Sequence, residues 1–99
     1  MAPEKQFAVY IVDSKRNGTL YVGMTSNLPQ RIWQHKNHVI EGFSDDHNVT
    51  ILVWFEMHET AESAIAREKQ IKKWNRDWKL ELIEKENPSW NDLWDAIVK

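Results

Sequence analysis

Two short apolar runs open the chain, Phe7 to Val12 and Thr19 to Met24, with the polar stretch Asp13-Ser14-Lys15-Arg16-Asn17-Gly18 between them. Rich in Val, Ile and Tyr and closed by Asn-Gly, the pair predicts a β-hairpin with a longer loop. Strand side chains alternate between faces, so Ala8, Tyr10 and Val12 share one face, and Tyr21 and Gly23 share one face of the partner strand. The two tyrosines are therefore able to point the same way. Asn27 then caps a helix with Pro29 in its first turn, where a missing N–H costs nothing. Leu28, Arg31, Ile32, His35 and Val39 recur at helical spacing as one stripe. Gly42 is expected to end this segment, and Ser44 to Asn48 reads as a polar loop.

Val49 to Met57 is apolar on both alternations, with Val49, Ile51, Val53 and Phe55 on one side and Leu52 and Trp54 on the other. Such a run predicts a central strand covered on both faces. Thr60 caps a second helix, with Glu59 and Glu62 near its positive end. Asn87-Pro88-Ser89 breaks the chain, and Ser89 with Asp92 reads as a capping pair for a last short helix containing Leu93, Trp94 and Ile97. The expected fold class is α/β in the α+β sense: a small three-stranded, mainly antiparallel sheet flanked by helices. The 99 residues read as one domain, with a core over about 7–83 and a C-terminal helical extension over 84–99.

A net charge of −2 argues against a general polyanion binder, because nucleic-acid affinity rests largely on Lys and Arg neutralising phosphates. The average conceals a basic stretch. Arg67, Lys69, Lys72, Lys73, Arg76 and Lys79 are opposed between 67 and 79 only by Glu68 and Asp77, while both flanking segments are acidic. This stretch is either a solvated helix face or a nucleic-acid contact, with Lys72, Lys73 and Arg76 as the candidate phosphate-binding residues. There is no cysteine, hence no disulfide frame and no Cys-based zinc site. No apolar run reaches the ~18 residues of a membrane span, so no membrane association and a cytoplasmic protein are expected.

Glu68 lies at helical spacing among Ala61, Ala64, Ile65 and Ile71, each within about 60° of it on the wheel. A lone carboxylate in an apolar stripe must be paired with a cation or face a cleft. It is either a structural partner of a cation such as Arg31 or a ligand for Mg²⁺ or Mn²⁺, hard ions that take one or two carboxylates plus water and phosphate oxygens. Arg31 and His35, four apart, share a helix face, and a guanidinium offers the planar fork that suits a phosphate. His38, His47 and His58 have no such context and read as surface residues. Six tryptophans are present, and Trp74, Trp78, Trp90 and Trp94 crowd the C-terminal part, either packing it onto the domain or stacking on bases of an opened strand.

The triplets Ala8-Val9-Tyr10 and Tyr21-Val22-Gly23, whose tyrosines stand eleven positions apart, are followed by Asn27, Arg31, His35 and Glu68. In this order they resemble the GIY-YIG nuclease family over roughly residues 7 to 83, through "GMTSNLPQRIWQH" and "AESAIAREKQIKKW". The resemblance implies a single-metal endonuclease acting on DNA, with branched and single-stranded DNA among the candidate substrates and room for a protein partner in targeting. It implies Tyr10, Tyr21, Arg31, His35 and Glu68 as the catalytic set. One tyrosine deprotonates water, Arg31 holds the phosphate, and Glu68 holds Mg²⁺ or Mn²⁺ to stabilise the leaving oxygen. The chain departs from the family pattern at Ala8, where the first Gly would stand, and at Leu80, where an Asn is common; Asn75 lies closer to Glu68. The alternatives are a nucleic-acid-binding module without useful activity and a protein-interaction domain.

Overall fold

The computed structural model describes residues 6–16, 18–39 and 48–98. The elements in chain order are β1 (Phe7–Asp13), β2 (Leu20–Thr25), α1 (Leu28–Lys36), β3 (Ile51–His58), α2 (Ala61–Lys73), α3 (Arg76–Glu86) and α4 (Trp94–Ile97). The strands form one sheet in the order β2-β1-β3 with both pairings antiparallel, which is the expected α+β class. Asn17, the Gly42 helix stop, the Ser44 to His47 part of the polar loop and the polar N-terminus through residue 5 lie outside the described residues.

β1 is the central strand, and Ala8 through Val12 are completely buried. On one face Val9, Ile11, Val22, Val53 and Trp54 pack against Ala64 and Ile71 of α2, Ile83 of α3 and Trp90. On the other, Ala8, Tyr10, Val12 and Leu52 pack against Leu28 and Ile32 of α1, with Leu93, Trp94 and Ile97 closing the edge. Each aliphatic side chain so buried contributes roughly 1.5–3 kcal/mol. A strand covered on both sides is thus held rigidly, and its one tyrosine with it.

β3, expected as a central strand, lies at an edge of the sheet beside β1, and its expected side-chain alternation does not hold either. Ile11 pairs with Trp54 but Val12 with Leu52, so a bulge leaves Val53 as an extra residue. Val53 and Trp54 consequently enter the same cluster, with Ile51 beside them, while Leu52, Phe55 and Met57 face α1 and α4. An inserted residue resets the period-2 pattern, which strict alternation cannot anticipate.

Local capping signals fare better. Asn27 Oδ1 accepts from the Gln30 amide, and Thr60 Oγ1 from the Ser63 amide. The α1 stripe ends sooner than its spacing suggests: the helix stops at Lys36, His38 turns the chain with φ 55°, and Val39 is left 55% exposed. Ser89 and Asp92 do not form the expected cap. α4 starts only at Trp94, so Asp92 works from close by, its Oδ1 accepting from the amides of Trp94 (3.1 Å) and Leu52 (3.3 Å). The Asp92 carboxylate also pairs with Lys36 of α1, which ties the C-terminal segment to α1 on the same face of the sheet.

Candidate active site

The site begins with the register of the hairpin. Tyr10 pairs with Gly23 and Val12 with Tyr21, which puts both tyrosines on the α1 face of the sheet as the alternation predicts. Gly23 is there for space. A Cβ at this position would collide with Tyr10 Oη and stand 2.5 Å from Cζ, so only glycine lets the phenol lie across the neighbouring strand. Strand alternation places Gly23 on this face, but the demand for space arises only once the two strands are paired.

α1 supplies the second layer. His35, 3% exposed, brings Nε2 to 2.9 Å from Tyr10 Oη, and its ring stands at centroid distances of 5.5 Å from Tyr10 and 5.6 Å from Tyr21. Burial, with the Arg31 charge in support, pulls His35 down to about 4, so the imidazole is neutral near pH 7. Among the described residues its buried Nδ1 has no hydrogen-bond partner. An orphaned N–H is rarer than an orphaned acceptor, so the proton belongs on Nε2, which donates to Tyr10 Oη. The Tyr10 hydrogen is then free to point elsewhere.

Tyr10 itself is inaccessible to solvent, and burial pushes its phenol well above the usual range. The Arg31 guanidinium opposes that shift through its charge and its donors, whereas Tyr21 and Glu68 add to it. Four of the five residues picked from sequence thus act on the fifth. Tyr21 is only half-buried, and Arg31 likewise reaches solvent.

Glu68 comes from α2, where Ala64 and Ile71 are buried as expected but Ile65 is 38% exposed, so the apolar stripe is narrower than the wheel indicates. The carboxylate side chain is 20% exposed and takes Lys72 Nζ at 3.3 Å, a partner on its own helix rather than Arg31. Among the described residues no group of three His, Cys, Asp or Glu could hold a metal ion. A zinc-type cage of protein ligands is therefore not formed by these residues. A single carboxylate does fit Mg²⁺ or Mn²⁺, which keep several waters and add substrate oxygens.

The basic stretch is divided by the end of α2 at Trp74 and the start of α3, whose cap is Asn75 Oδ1 accepting from the Trp78 amide at 2.9 Å. Asn75 is therefore a helix cap, and Leu80 packs against the core. Lys73 is exposed, Lys72 is paired with Glu68, and Arg76 donates to the Gly18 carbonyl at 2.6 Å. Arg76 and Lys79 line a polar hollow of about 410 Å³ with Thr19. The tryptophans do not form one patch: Trp90 is buried, Trp94 packs on the Tyr10 face, and Trp78, 54% exposed, meets Trp74 edge-on.

Two residues carry more structure than their sequence context suggests. His58, expected at the surface, is half-buried between Glu56 Oε1 (2.8 Å) and Ser63 Oγ (2.9 Å), because β3 runs directly into the first turn of α2. Asp13 is 1% exposed at the end of β1, and burial raises its carboxyl. Among the described residues neither oxygen has a full hydrogen bond, though the backbone amides of Lys15 and Ser14 oppose the shift.

The sequence pattern of the GIY-YIG catalytic domain matches residues 6–81, which span all five site residues. The chain belongs to the GIY-YIG family. Within it, a UPF0213 protein of Clostridium perfringens is 40% identical over 75 residues, covering 76% of this chain and 80% of that one. A UPF0213 protein of Syntrophus aciditrophicus is 36% identical over 81 residues, covering 81% and 91%. The solution NMR structure of the UPF0213 protein BH0048 from Bacillus halodurans superposes with a TM-score of 0.56 at 23% identity, over 87% of this chain and 90% of that one, and so shares the fold. The GIY-YIG match ends inside α3, beyond Leu80. No helix among the described residues is long and apolar enough to cross a membrane.

Proposed function

We propose that this chain is a metal-dependent endonuclease that hydrolyses phosphodiester bonds in DNA at the site formed by Tyr21, Arg31 and Glu68 beside Tyr10. The observation that supports this most is the buried Tyr10 phenol held by His35, with Tyr21 against the same imidazole ring and the charges of Arg31 and Glu68 both acting on the phenol. Such a set has no packing rationale, since a core is more stable without a buried phenol, a neutral imidazole with an orphaned nitrogen, and a guanidinium at its rim.

In this reading Tyr21 is the base and Tyr10 is not. Tyr10 is held neutral by burial, whereas Tyr21 reaches solvent and so can meet a water. Tyr10, buried with its oxygen held by the His35 N–H, is a positioning residue that fixes His35 and Arg31 beside Tyr21. Arg31 binds two phosphate oxygens through its planar fork and stabilises the charge that develops there. A divalent cation held by Glu68 would neutralise the leaving oxygen. Lys72, Lys73 and Arg76 guide the strand, and branched or single-stranded DNA, with a protein partner for targeting, is the substrate class this small surface suits.

Cleavage of labelled single-stranded, duplex, flap and branched DNA, with and without Mg²⁺, tests the reading. Metal-dependent products that vanish in Glu68→Gln support it. One observation favours a second reading, a nucleic-acid-binding module without activity: Leu80 packs against the core and the Asn75 side chain caps α3, so the downstream Asn common in the family has no free counterpart at these two positions. Salt-sensitive binding with no product on any substrate would select it.

A further inference from the structure

We propose that Lys72 is a tethered competitor for the cation on Glu68, displaced when a substrate phosphate arrives, so that metal loading and substrate binding reinforce each other. This rests on the reading of Glu68 as the metal ligand. The geometry is specific. Lys72 Nζ stands 3.3 Å from Glu68 Oε2, one helical turn along α2, in the order Glu before Lys that favours the contact. The carboxylate side chain is 20% exposed and the lysine 49%, so the carboxylate is held by packing and the ammonium is the partner free to leave.

Charge sets the competition. Glu68 has no neighbouring cluster of acids among the described residues, so the ammonium cancels the one negative charge the ion would seek. A divalent cation held by the Glu68 carboxylate would repel an ammonium kept at the same group. A phosphate bound beside Glu68 would alter both sides of the balance. It adds negative charge for the ion and offers the flexible lysine another anion within reach of its four-carbon stem. Whatever factor the phosphate contributes to metal affinity, the metal must return to phosphate affinity.

Mn²⁺ binding, followed by the electron paramagnetic resonance of the free ion, tests this with the full chain, alone and with a phosphorothioate oligonucleotide that resists hydrolysis. The natural protein should bind Mn²⁺ weakly and tighten when the oligonucleotide is added. Lys72→Met should bind Mn²⁺ about three- to tenfold more tightly without oligonucleotide, and gain little when it is added. Lys72→Arg should behave as the natural protein. Lys72→Met affinity equal to or weaker than the natural protein's, with binding still abolished in Glu68→Gln, overturns the proposal and leaves the metal site standing. Mn²⁺ affinity unchanged in Glu68→Gln overturns both. Lys72 is half exposed, so circular dichroism should show an unaltered fold in each variant.

Discussion

The Tyr10 hydroxyl lies 2.9 Å from Nε2 of His35, across 25 residues of sequence, and both side chains are buried. Burial, with the Arg31 charge in support, keeps the imidazole of this pair neutral. With its folded pKa lowered to about 4 from the ordinary 6.5, His35 binds a proton more readily in the unfolded chain. Stability should therefore be unaffected by this group above pH 6.5 and fall as pH drops from 6.5 to 4, by an amount on the order of 2–3 kcal/mol. Urea unfolding at a series of pH values measures this. His35→Gln should flatten the dependence in that window, and an equally steep decline in the variant would assign it to other groups, with Asp13 excluded because its raised pKa acts in the opposite direction.

Gly23→Ala should destabilise the fold by about 1–3 kcal/mol, the usual cost of overpacking a closed core. The added methyl would collide with Tyr10 Oη and lie 2.5 Å from Cζ, and Tyr10 has no room to retreat. For a chain of this size each kcal/mol lowers Tm by roughly 4–8 °C. In a Tyr10→Ala background the same substitution should cost much less, and equal cost in both backgrounds would show that the strain lies in the backbone.

Much of this arrangement is legible from sequence, and the reason is locality. The hairpin, the shared face of Tyr10 and Tyr21, and the caps at Asn27 and Thr60 follow from two- and four-residue patterns that no tertiary contact overrides. Glu68 stands out because a carboxylate among Ala64 and Ile71 needs a reason. The features that escape are set by partners far along the chain or by a single inserted residue. The Val53 bulge reverses the faces of half of β3, the end of β3 encloses His58, and the Trp74-Asn75 break splits the basic stretch into two helices. The space Tyr10 demands of Gly23 is invisible until the register of two strands is known.

Glu68→Gln should abolish metal-dependent cleavage while changing stability by less than about 0.5 kcal/mol, because its ion pair with Lys72 is an i,i+4 pair with a half-exposed lysine, a type worth only tenths of a kcal/mol. Thermal melts beside cleavage assays check both halves of this expectation. Arg31→Lys should reduce turnover by ~10²-fold or more with a smaller change in KM, because lysine keeps the charge and lacks the two-pronged donor. Single-turnover kinetics on a cleavable substrate separate the two effects. Equal turnover with lysine at position 31 would remove Arg31 from the catalytic set.

Changing Lys72, Lys73 and Arg76 together to Gln should flatten the plot of log DNA affinity against log salt by up to about three units, one for each phosphate no longer neutralised. The stability of this variant is not expected to be neutral, because Arg76 anchors the hairpin loop through the Gly18 carbonyl and its charge acts on the buried Asp13. Arg76→Gln alone should thus account for the fall in Tm of the triple variant, whereas Lys72→Gln with Lys73→Gln should flatten the slope by up to about two units at unchanged Tm. Fluorescence anisotropy across a salt series, beside thermal melts, distinguishes the two contributions. A slope that none of these changes moves would mean that no phosphate lies along the end of α2, and the exposed Trp78 edge would then be the surface to test for a protein partner.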